Sequence, residues 1–129
     1  MINILVVDDC DEFRTMLCAA LTDAGYWILE ASNGQEGLDL YRKEKVAIVI
    51  MDIIMPGKEG IETILELRRE FPDVKIIAIS GGGLKMLSDD CLTMAKKAGA
   101  HYVLKKPFAI NKIIAYIENL LRDNVFENK

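Results

Sequence analysis

The chain has 129 residues, 51% of them hydrophobic and 28% charged, which suits one compact domain with a buried core and excludes a disordered polymer. Its 16 basic residues against 20 acidic ones leave a formal charge of -4, which argues against direct nucleic-acid binding, because that needs a basic face to neutralise phosphates. Lys96–Lys97 and Lys105–Lys106 are only local basic pairs.

Short β-branched runs alternate five times with amphipathic helical patterns. The first run, Ile2–Val7, stops at Asp8–Asp9. Phe13, Met16, Leu17, Ala20, Leu21 and Ala24 then recur at helical spacing, with Asp11 and Glu12 near the positive end and Gly25 as a stop. The second run, Tyr26–Ala31, mixes polar and apolar residues and suits an edge strand. Asn33 with Glu36 three residues later reads as the cap of a second helix. The third run, Val46–Met51, leads into Asp52, and Ile61, Ile64, Leu65 and Arg68 mark a third helix. The fourth, Val74–Ile79, ends at Ser80 and a long connection, Gly81-Gly82-Gly83-Leu84-Lys85-Met86-Leu87, before a weaker helix with Leu92, Ala95 and Ala98. The fifth, Tyr102–Leu104, precedes Lys106 and Pro107. Ile113, Ile114, Ile117, Leu120 and Leu121 then form the cleanest apolar stripe of all. We expect one domain over residues 1–122 and a short polar tail, fraying, over 123–129.

Four of these runs are apolar almost throughout, as parallel strands covered on both faces must be. The pattern predicts an α/β fold: a (βα)5, doubly wound, five-stranded parallel sheet with right-handed crossovers. No apolar stretch reaches the roughly 20 residues that span a bilayer. Ile2–Val7 is too short for a signal peptide and lacks a basic flank, so no membrane association is expected. Cysteines at 10, 18 and 91, odd in number and without CxxC spacing, suit reduced thiols in the cytoplasm better than disulfides or zinc.

In open sheets of this kind, ligands sit beyond the carboxyl ends of the strands. The polar residues there are Asp8 and Asp9, Asp52, Ser80 and Lys106. Taken singly, the aspartates could be caps or turn residues, Ser80 loop chemistry and Lys106 a solvated charge. Taken together they are not so easily dismissed. Three carboxylates repel unless a cation joins them, and their hard oxygens suit Mg²⁺. Three negative charges balance Mg²⁺ and one ammonium. Turning one carboxylate into an acyl phosphate adds roughly one more negative charge, which Mg²⁺, Lys106 and the Ser80 hydroxyl can share.

These motifs resemble the receiver domains of bacterial two-component response regulators. The matching segments are Val-Val-Asp-Asp at 6–9, Met-Asp-Ile-Ile-Met-Pro-Gly at 51–57, Ile-Ser-Gly at 79–81, Gly-Ala at 99–100 and Lys-Lys-Pro-Phe at 105–108. The resemblance covers nearly the whole chain and implies a flavodoxin-like sheet with strand order 2-1-3-4-5. It also implies that Asp52 accepts a phosphoryl group from a histidine kinase or a small donor such as acetyl phosphate, and that the chain then switches partner binding or relays the phosphate onward to a histidine phosphotransfer protein. Asp8, Asp9, Asp52 and the backbone carbonyl of Ile54 would hold Mg²⁺, with Mn²⁺ as a substitute. Lys106 would contact the phosphoryl oxygens, and Ser80 would move toward them and reshape the surface of helix 4, strand 5 and helix 5. Such a protein is a switch rather than an enzyme, although it assists its own phosphorylation and dephosphorylation. Its downstream partner would be a protein effector.

Two features depart from the family pattern. Val103 stands where many receivers carry a Tyr or Phe whose rotamer reports the state of the switch, and strand alternation points Tyr102 to the other face. The triple glycine after Ser80 lengthens the connection to helix 4, and Gly81 leaves the site open to water or a partner. His101 lacks metal-ligand neighbours and reads as structural. Cys10 reads as small packing, and Met16, Met51 and Met55 as gap fillers.

The chain reads as a stand-alone switch, since Met1 opens directly onto strand 1 and little follows helix 5. The alternative is the excised receiver of a DNA-binding regulator or hybrid kinase. A haloacid-dehalogenase-like phosphatase needs a second Asp two residues after its nucleophile, where this chain has Ile54.

Overall fold

Alternate residues along the strands serve opposite faces of one sheet. The computed structural model describes residues 2–53, 59–81 and 93–127. The strands are β1 Asn3–Val7, β2 Trp27–Ala31, β3 Ile48–Asp52, β4 Ile76–Ser80 and β5 Tyr102–Lys105. The helices are α1 Asp11–Asp23, α2 Gly34–Lys43, α3 Glu59–Glu70, helical residues 93–98 as α4, and α5 Ile110–Glu127. All strand pairings are parallel, in the order β2-β1-β3-β4-β5. The fold class and strand order are therefore as expected.

Ile4 and Val6 of β1, Ile48 and Ile50 of β3, and Ile77 and Ile79 of β4 face α1 and α5, where they meet Leu17, Leu21, Ile113, Ile117 and Leu120. The intervening Leu5, Val7, Val49, Met51, Ile76 and Ala78 face the other way, toward Leu38, Ile64, Leu67, Ala95 and Ala98 on α2, α3 and α4. Every residue of β3 and β4 is buried, which explains their unbroken apolar runs. Fully burying one such Leu or Ile contributes about 1.5–3 kcal/mol.

β2 lies at the sheet edge and is only partly covered, and Trp27 at its start is 56% exposed. Tyr102 stacks on Tyr116 of α5, with centroids 4.1 Å apart, whereas Val103 packs on the opposite face, as alternation requires.

Local signals place the helix ends. Asn33 accepts from the Glu36 N–H at 2.8 Å, and Glu36 reaches back to the Ser32 N–H. Gly25 after α1 and Gly99 before β5 take φ of 101° and 125°, a region that costs glycine little. Cys10 stands at the N-cap of α1 without a side-chain capping bond, and it is exposed rather than packed. Met51 fills the core, but Met16 is 49% exposed, so it is no gap filler; Met55 lies outside the described residues. The His101 ring Nδ1 accepts from the Ile76 backbone N–H at 3.2 Å, and the His101 backbone N–H donates to the Ile76 carbonyl at 2.8 Å, contacts that suit a structural role.

β1 and β2 begin one residue later than expected and β3 and β4 two, while β5 begins where expected; β3, β4 and β5 each end one residue later, and β1 and β2 end at Val7 and Ala31 as expected. α5 continues as helix through Glu127, past the point after Leu121 where fraying was expected. Arg-Asp-Asn-Val-Phe-Glu contains no glycine or proline to stop it.

Candidate functional site

The reversal of strand order between β1 and β3 opens a crevice at their carboxyl ends. Val7 pairs with Met51, so the next residues, Asp8 and Asp52, emerge side by side. Asp8 is fully buried and Asp52 is 2% exposed, while Asp9 faces solvent. One carboxylate oxygen from each of Asp8, Asp9 and Asp52 lies within 4.8 Å of the others, close enough for one cation. Hard oxygen donors in this number, two of them buried, fit a magnesium-type ion that keeps several waters.

The lysine arrives from the other side. Ser80 pairs with Lys105, and the Lys106 N–H donates to the Ser80 carbonyl at 2.8 Å, which carries Lys106 over the end of β4. Lys106 Nζ lies 2.7 Å from Asp8 Oδ2 and 3.5 Å from Asp52 Oδ2. Ser80 is fully buried at the adjacent strand end, and its Oγ donates to the Gly81 carbonyl at 3.3 Å. Four of the expected residues, Asp8, Asp9, Asp52 and Lys106, thus converge, and Ser80 borders them. Ile54 lies outside the described residues, as do Gly82 to Leu87 of the long connection. Val103 packs in the layer of α2, α3 and α4 rather than among the carboxylates.

Supports around the carboxylates come from residues that carried no functional signal in the sequence. The Cys10 N–H donates to Asp8 Oδ1 at 2.9 Å. Arg14 Nη1 donates to the Asp8 carbonyl at 2.6 Å, Nη2 to Asp11 at 2.7 Å and Nε to Glu30 at 3.1 Å. Its pKa is raised above the usual arginine value, chiefly by the hydrogen bond to Asp11. Arg14 therefore pins the turn that presents Asp8 and Asp9. Phe13 faces Lys106. Gly60, in the first turn of α3, lies so close to the Asp52–Ile53 link that an added Cβ would collide with the Ile53 Cα and lie 2.5 Å from the Asp52 carbonyl oxygen. A glycine eight residues beyond an acidic strand end is the signal that could have pointed to that close approach.

A family model described as the response regulator receiver domain matches residues 4–118. The chemotaxis protein CheY of Thermotoga maritima is 38% identical over 113 residues, which cover 87% of this chain and 91% of that protein. A probable transcriptional regulator, ycf27, of Porphyra purpurea is 39% identical over 120 residues, covering 93% of this chain but 47% of the relative. Among solved structures, a response regulator receiver domain protein from Clostridium thermocellum matches with a TM-score of 0.88 at 26% identity, covering 98% of both chains. The response regulator TrrA from Thermotoga maritima, solved in complex with Mg²⁺ and BeF, matches with a TM-score of 0.80 at 32% identity, over 93% of this chain and 99% of that one. Among the described residues, no helix is long and apolar enough to cross a membrane.

Proposed function

The chain belongs to the response regulator receiver domain family, whose members are signalling switches of two-component systems, and on that premise we propose that Asp52 is its phosphoacceptor. The carrying observation is the Lys106 ammonium lodged between Asp8 and Asp52, 2.7 and 3.5 Å from their oxygens, within a cluster of three carboxylates. An Asp52 oxygen attacks phosphorus, an O–P bond forms, and the bond to the donor's histidine nitrogen or acetate oxygen breaks. Asp8 and Asp9, with Asp52 and the Ile54 carbonyl, would hold the cation. Mg²⁺ bound there, or Mn²⁺ in its place, would supply charge neutralisation to the transferring group. Lys106 turns from carboxylate to phosphoryl oxygen and adds its positive charge. The Ser80 hydroxyl contributes a hydrogen bond and, in moving to make it, biases a two-state equilibrium at the surface of α4, β5 and α5. Val103 removes an aromatic reporter from that route and leaves Ser80 as the coupling residue.

On this reading residues 1–122 carry the switch and 123–129 are a polar extension. The chain acts in the cytoplasm; its partners are a histidine kinase upstream and, downstream, a protein effector or a histidine phosphotransfer protein to which it relays phosphate. A stand-alone role is supported by similarity spanning 91% of the chemotaxis relative. Similarity to 47% of a transcriptional regulator favours the alternative, a receiver within a larger regulator.

The test is incubation with acetyl phosphate and Mg²⁺, followed by intact-mass measurement. One phosphoryl adduct is expected on the wild type and none on Asp52→Asn. An undiminished adduct on that variant would move the acceptor elsewhere.

A further inference from the structure

Lys106 is held by more than its carboxylates. Its Nζ stands 4.0 Å from the centroid of the Phe13 ring. The same ring meets Phe108 edge-on, with centroids 5.8 Å apart and planes at 75°. Phe108 follows Lys106 by two residues, and Phe13 sits in the first turn of α1, just beyond Asp8 and Asp9. The ring thus ties the segment carrying the lysine to the turn carrying two of the acids.

We propose that Phe13 is a positioning residue for phosphoryl transfer, an aromatic seat that holds the Lys106 ammonium ready for the phosphoryl oxygens; this rests on the reading of Asp52 above. A lysine side chain is long and flexible, and two carboxylates fix its distance better than its direction. The negative face of an aromatic ring attracts a cation from a defined side. That attraction strengthens where water is thin, and here the Lys106 side chain is 16% exposed beside a fully buried Asp8. When Asp52 carries a phosphoryl group, the ammonium need only turn from a carboxylate to a phosphoryl oxygen with the ring still behind it. Phe13 also packs against the layer of α1 and α5, so simple core filling is the competing explanation.

The two explanations separate by experiment. In the metal-free protein, the Lys106 ε-methylene protons should be shifted upfield by the ring in NMR spectra, and Phe13→Leu should abolish the shift. With Mg²⁺ present, beryllofluoride serves as the phosphoryl probe. Phe13→Leu should bind it about fivefold more weakly, equivalent to about 1 kcal/mol, and Phe13→Tyr should bind as the wild type does. In a Lys106→Met background, Phe13→Leu should cause no further loss. The same fivefold loss in that background would overturn the proposal in favour of packing, and so would unchanged affinity in Phe13→Leu. An unshifted Lys106 in the wild type would overturn the seat itself. A wild type that takes up no beryllofluoride would instead overturn the reading of Asp52.

Discussion

Replacing Gly60 by alanine adds one methyl group where there is no room. Ordinary contact begins near 3.4 Å, so the 2.5 Å approach to the Asp52 carbonyl oxygen is short by about 0.9 Å, and the Ile53 carbonyl carbon at 2.8 Å is also too near. The atoms in the way are backbone and cannot swing aside as a side chain would. They are also pinned, because Asp52 pairs with Ile79 of β4 and the Ile53 N–H donates to the Ile79 carbonyl at 2.9 Å. The first turn of α3 must therefore lift. Overpacking of this kind costs about 1–3 kcal/mol, and the better helix propensity of alanine returns at most about 1 kcal/mol. A net loss of about 1–2 kcal/mol lowers Tm by roughly 3–10 °C in a chain of this size. Any residual push on Asp52 alters its placement against Lys106, so the initial rate of phosphorylation by acetyl phosphate should fall about tenfold. Gly81 is the control, since a Cβ there meets nothing within 4 Å and Gly81→Ala should leave the melting temperature unchanged. Thermal melts and a timed phosphorylation assay measure both effects. If Gly60→Ala melts and reacts as the wild type does, the close approach of α3 to the acceptor is wrong.

Core position and pH provide further tests. Ile77→Ala, at a fully buried site, should lower stability by about 2–5 kcal/mol, while Met16→Ala on the surface should change it by less than about 0.5 kcal/mol; equal urea midpoints for the two would contradict the layer assignment. Burial pushes the Cys18 thiol up to about 12, so a thiol reagent at about pH 8 should label exposed Cys10 and spare Cys18 until denaturant is added, as peptide mapping will show. The hydrogen bond from Arg42 holds the Glu70 carboxyl below its ordinary value. The stabilisation from that pair is thus present above the ordinary carboxylate range and lost as pH falls through the lowered value. Glu70→Gln should flatten this part of the acid limb of the stability curve, and an unchanged acid slope would refute the pairing.

The alternation of β-branched runs and helical stripes was enough to read five strands, because each strand is short and lies between two helical layers. One edge was legible, since the mixed run Tyr26–Ala31 became the edge strand β2, whereas β5, the other edge, read as apolar because only four residues carry it. The strand boundaries were less legible. Val46 is apolar because it packs against the core and Val74 because it lies within it, not because they belong to the ladders. Strand order was not contained in the periodicity and came from the family resemblance. The acids and the lysine were readable because each follows a strand, and all parallel strands end on the same side. Phe13 and Arg14 were not. One reads locally as part of an apolar stripe and the other as a basic residue among acidic neighbours, and only the meeting of α1 with β2 and the end of β5 gives them partners at the site.

The position of Trp27 has an optical consequence. It is the only tryptophan, lies more than half exposed at the start of β2, and so sits at the opposite end of the sheet from Asp52, roughly 15 Å away along the strands. Its emission is set by bulk water at the foot of the sheet, far from the carboxylates. Intrinsic tryptophan fluorescence is therefore nearly blind to cation or phosphate at the acid cluster, and it reports instead on whatever touches the β2 edge.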